Sequence, residues 1–124
     1  MIKAVKYYLM IVLFGYSHLA SADTLLFVNT DNVKQRNEIN AINNLIYSGD
    51  FVIKDDFFVI DIAKKKKKFH GEFRLIQDAD GHYISNYLPT AIPEVFYVKN
   101  GYVMRRETLE TFIAQHIVNQ TGRE

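Results

Sequence analysis

The sequence predicts an α/β fold built on a mixed sheet, and three observations carry that reading. A short, continuously apolar run is followed by helical periodicity and then by a second apolar run, the β-α-β order that sets strands side by side in parallel. Near the C-terminus two strand-like segments flank an Asn-Gly pair, the signature of an antiparallel hairpin. An amphipathic helix closes the chain. The 124 residues suffice for one domain and not for two. With 48% hydrophobic and 23% charged residues, the composition is that of a packed core and not of a disordered chain.

Lys3 and Lys6 precede an apolar run from Tyr7 to Gly15, and the segment closes on Ala20-Ser21-Ala22, a small-x-small cleavage signal. Residues 1–22 therefore read as a secretory signal peptide cleaved after Ala22, and residues 23–124 as a periplasmic or secreted domain. An uncleaved membrane anchor is the alternative. Against it stands the apolar run, shorter than the ~20 residues of a spanning helix.

Thr24 to Val28 is apolar without alternation, as in a strand covered on both faces, and takes the centre of the sheet. Asn29, Thr30 and Asp31 are cap candidates for a helix that starts near Asn32. Its apolar stripe is Val33, Ile39, Ile42, Leu45 and Ile46, and Ser48-Gly49 stops it. Phe51 to Ile53 and Phe57 to Ile62 have strand character around Asp55 and Asp56. Lys64, Lys65, Lys66, Lys67 and Lys68 repel one another and form a solvated loop, with the anionic membrane surface or a partner as the alternative use. Phe73 to Ile76 is strand, Asp78 to Gly81 a turn, and His82 to Leu88 a connection into Pro89. Val95 to Val98 and Tyr102 to Met104 make the hairpin around Lys99-Asn100-Gly101. Thr108 caps the last helix, with Leu109, Phe112, Ile113, His116 and Ile117 on one side.

The second half carries a resemblance. Leu75 to Gly81, then Tyr87-Leu88-Pro89-Thr90-Ala91-Ile92-Pro93-Glu94-Val95-Phe96, then the Asn100-Gly101 turn, resemble the thioredoxin-like superfamily in its redoxin and thiol–disulfide interchange branch. The resemblance implies a three-layer sandwich around a central mixed sheet and a cis Ile92–Pro93 bond. It also implies a pair of redox cysteines at the start of the first helix. That stretch, Thr30 to Arg36, has none, and neither does the rest of the chain. Thiol redox chemistry, a disulfide framework and a thiolate metal site are excluded together.

What remains of the family's site is a surface for binding. In this fold Ile92 would present backbone N–H and C=O groups to an extended peptide, which pairs there as an added strand. The helix start offers unpaired N–H groups and partial positive charge. The residues expected to contact a partner are Thr30, Asp31, Lys34, Ala91, Ile92, Pro93 and Glu94. The expected partner is another exported or membrane protein, in an envelope assembly or secretion apparatus.

A hydrolase-type enzyme using carboxylates and histidines is the alternative from another class, motivated by Asp55, Asp56, Asp78, Asp80, His70, His82 and His116. A membrane-tethered structural protein is the third reading. No cofactor or metal is expected: the histidines lack ligand spacing, and Asp78 and Asp80 open no complete calcium loop. A net charge of +1 gives no field for nucleic acid.

Overall fold

The computed structural model describes residues 22–53, 56–65 and 68–117. Most of the signal segment, Asp55, Lys66 and Lys67 lie outside the described residues. Strand β1 (Ala22–Val28) is followed by α1 (Val33–Ser48), β2 (Asp56–Asp61), β3 (Arg74–Gln77), α2 (His82–Tyr87), β4 (Glu94–Lys99), β5 (Tyr102–Thr108) and α3 (Leu109–His116). The five strands form one sheet in the order β3-β2-β1-β4-β5. β1 lies at its centre, parallel to β2 and antiparallel to β4. β3 extends the parallel half, and β5 completes the hairpin at the other edge.

Burial follows the pleat. Because side chains alternate along a strand, β1 sends Leu26 and Val28 to one face and Leu25 and Phe27 to the other, and all four are buried. The first face holds Leu26, Val28, Val59 and Val95 against Ile39 and Ile42 of α1 and Leu109 and Phe112 of α3. The second holds Leu25, Phe27, Ile60, Phe96 and Val98 against Tyr83, Ile84 and Tyr87 of α2 and against Ile92. Helices thus cover both faces of the sheet, the three-layer arrangement expected.

Local chemistry sets the ends of α1. Asn32 accepts from the N–H of Gln35 at 3.1 Å as the N-cap. Gln35 reaches back to the N–H of Asn29 at 2.7 Å. Gly49 ends the helix at φ 84°, a left-handed turn that glycine enters without strain, and Asp50 N–H closes it on Leu45 C=O at 3.0 Å. The cap is therefore Asn32 and not Asn29, Thr30 or Asp31. Val33, expected on the apolar stripe, is 58% exposed, because the first turn of α1 lies beyond the end of β1 and meets neither core cluster.

Three other expectations are corrected. Phe51 to Ile53 is not a strand: Phe51 makes one isolated bridge to Ile117, and its ring is buried against Phe112 and stacked on His116. His82 to Tyr87 is not a bare connection but α2. Asp78 carries that helix, accepting from the N–H groups of Tyr83 and Ile84, both at 3.0 Å. The hairpin's second strand runs on to Thr108, turned by Asn100 and Gly101 at φ 54° and 81°, both in the left-handed region that this tight turn requires.

Candidate functional site

The two segments expected to meet a partner leave the same end of the sheet on adjacent strands. α1 begins just past β1, and the loop 88–93 leads into β4, whose first residue Glu94 stands opposite Phe27 of β1. The register therefore puts the start of α1 beside the loop that ends in Pro93. The Ile92–Pro93 bond is cis.

The loop is fastened by a carboxylate and a guanidinium that the sheet brings together. Glu94 is buried and accepts from Thr90 N–H at 2.7 Å and from Ala91 N–H at 3.4 Å. The guanidinium of Arg106 in β5 sits over Phe96, 4.5 Å from the ring centre. From there it donates through Nε to Glu94 at 3.2 Å and through its terminal nitrogen to Leu88 C=O at 3.0 Å. Burial alone would push the Glu94 carboxyl up. The Thr90 N–H, Arg106 and the Ala91 N–H more than offset that, and its pKa is lowered. The loop is thus anchored at Leu88 and at the N–H groups of Thr90 and Ala91. Among the described residues neither the N–H nor the C=O of Ile92 has a hydrogen-bond partner, although its side chain packs on the second core face.

Opposite, the start of α1 is held by Asp61, the last residue of β2. This carboxylate is fully buried and accepts from Thr30 N–H at 3.0 Å, Thr30 Oγ1 at 2.5 Å, Ala63 N–H at 3.0 Å and Gln77 Nε2 at 3.2 Å. Four donors on two oxygens saturate it. Thr30 therefore has both of its donors engaged inward and is buried. Asp31 is exposed and accepts from Lys64 N–H at 3.0 Å, tying the start of the lysine run to the start of the helix. Lys34 and Ala91 are exposed, and Pro93 is half-buried.

The structure separates the residues of the enzyme alternative. Asp56 begins β2, whereas Asp78 follows the end of β3; since these strands are parallel, the two lie at opposite ends of the sheet. Asp78 is engaged as a helix cap, and Asp80 receives His82 N–H at 3.2 Å. His70 is in the β2–β3 connection, His82 starts α2, and His116 donates through Nδ1 to Phe112 C=O at 2.9 Å and stacks on Phe51 of the first core face. Among the described residues no group of three metal-ligating side chains converges. Lys64, Lys65 and Lys68 are exposed. Among the same residues no helix is long and apolar enough to cross a membrane.

Sequence reasoning pointed to Glu94 but missed Arg106 and Asp61. Arg106 lies twelve positions from Glu94, and only the register of β4 on β5, Phe96 opposite Arg106, sets the two on one face. The signal was present in the hairpin: an arginine two residues before the position facing Glu94.

No family model matches the chain, and no curated protein matches it. Solved structures do. StoA from Bacillus subtilis superposes with a TM-score of 0.56 at 12% identity, covering 72% of this chain and 74% of StoA. Thioredoxin from Wuchereria bancrofti superposes with a TM-score of 0.51 at 14% identity, covering 83% of this chain and 78% of the thioredoxin. The fold is thioredoxin-like, in a chain without cysteine.

Proposed function

We propose that the chain is an exported, non-redox, thioredoxin-like accessory protein that contacts an extended segment of another exported or membrane protein. The observation that carries this reading is Ile92. Among the described residues its backbone N–H and C=O are unpartnered, in a loop held in place around it by Glu94 on the N–H groups of Thr90 and Ala91 and by Arg106 on the C=O of Leu88. A donor and an acceptor held ready on one residue suit main-chain pairing with an added strand. The start of α1 forms the other side of that surface with Asp31 and Lys34. The absence of cysteine removes thiol–disulfide exchange. Export follows from the basic and apolar leader and the Ala20-Ser21-Ala22 signal. An envelope assembly or a secretion apparatus is the setting in which such a module would work.

Loosening the loop without substituting Ile92 tests the reading. Arg106→Gln and Glu94→Gln each release part of the clamp, so capture of the partner by tagged protein in the exporting cell drops about tenfold, as for the loss of one charge-assisted hydrogen bond. The same variants keep a native far-UV circular dichroism spectrum. Undiminished capture by both would contradict the proposal.

A further inference from the structure

We propose that the cavity between α1 and the β2–β3 connection binds a compact monoanion with a short apolar body, an aromatic or branched carboxylate being the best fit. The cavity measures about 200 Å³ and is lined by Thr30, Arg36, Ile39, Asn40, Asp61, Lys68, Phe69 and Leu75. Its chemistry divides cleanly. Ile39, Phe69 and Leu75 make an apolar wall continuous with the first core face, whereas Arg36 and Lys68 supply two cations. Neither cation has a side-chain hydrogen bond or an ion pair among the described residues.

Arg36 is the more telling of the two. It is half-buried at the cavity, and its guanidinium, whose planar fork suits an oxyanion, has no partner among the described residues. The carboxylate on the floor cannot serve it: Asp61 already accepts from Thr30, Ala63 and Gln77. Two lining cations against one saturated carboxylate leave one positive charge unanswered, which calls for a single negative charge on the occupant. The volume is below the roughly 300–1,000 Å³ of sites for drug-sized ligands, so the occupant is small. The wall selects an anion with carbon on one side, and the guanidinium fork matches the two oxygens of a carboxylate. This site adjoins the start of α1, where it shares Thr30 and Asp61 with the partner surface, but its recognition by Arg36 and Lys68 does not use Ile92.

Titration of ¹⁵N-labelled protein with benzoate, benzamide and inorganic phosphate decides the matter. Benzoate should shift the amide signals of Arg36, Ile39, Asn40, Phe69 and Leu75 saturably, with benzamide and phosphate each at least about tenfold weaker. Arg36→Gln and Lys68→Gln should each weaken benzoate about tenfold while leaving the urea midpoint unchanged, since neither side chain has a partner to lose. Absence of a saturable shift overturns the proposal. Equal binding of benzamide removes the charge recognition, and equal binding of phosphate removes the apolar wall; either result also overturns it.

Discussion

A carboxylate buried at the end of a strand must be supplied with donors, and Asp61 takes four of them from three parts of the chain. Asp61→Ala strands two backbone N–H groups, a hydroxyl and an amide. At about 1–3 kcal/mol for each buried group left unmade, and with water able to reach some of them, a loss of roughly 3–5 kcal/mol in urea unfolding is expected. Glu94 makes a pH prediction. Its pKa in the folded chain is lowered, so its contribution is present above the ordinary glutamate pKa and is lost as pH falls through the lower folded value. Stability measured from pH 6 down to pH 3 should fall less steeply in Glu94→Gln than in the unsubstituted protein. Tyr97 has the opposite sign. Burial, and the Glu107 carboxylate that accepts its hydroxyl, push it far above the usual tyrosine value against the opposing pull of Arg105. It therefore stays neutral, and in alkali it should be among the last tyrosines to ionise by absorbance at 295 nm.

At the scale of elements, α2 depends on a residue outside it. Its six residues include none that is fully buried, and its N-cap position, Gly81, has no side chain to offer. Asp78 replaces that cap, so Asp78→Ala should cost about 1–2 kcal/mol and uncover the second core face, seen as increased binding of a hydrophobic dye. Gly101→Ala in the hairpin should cost about 1 kcal/mol, because the turn holds φ 81° there. The long elements were legible because their patterns are local: the buried run of β1, the stripe and glycine stop of α1, the Asn-Gly turn, and Thr108 accepting from Thr111 N–H at 3.2 Å. The missed features were contacts at a distance. Three cap candidates stood before Asn32, and only Asp61, thirty-one residues on, draws Thr30 inward and leaves Asn32 to cap. Asp78-Ala79-Asp80-Gly81 has turn composition whether or not a helix follows, and six residues are too few to show a period.

For the whole molecule, stability must come from burial, since there is no disulfide or free thiol. Phe112 is fully buried on the first face, in ring contact with Phe51, Phe57 and Tyr97, and Phe112→Ala should cost about 3–5 kcal/mol. The sheet then sets two loops side by side at one end, where β1 runs out beside the start of β4. The central claim is that a partner's extended segment meets the protein there, and photo-crosslinking in the exporting cell tests it most directly. With the probe placed in turn at Ile92, at Lys34, at Lys65 and at the exposed Tyr47 on the far end of α1, the account predicts one protein species captured at Ile92 and Lys34 and absent at Tyr47. Capture at Lys65 alone, or the same yield at Tyr47 as at Ile92, would contradict it.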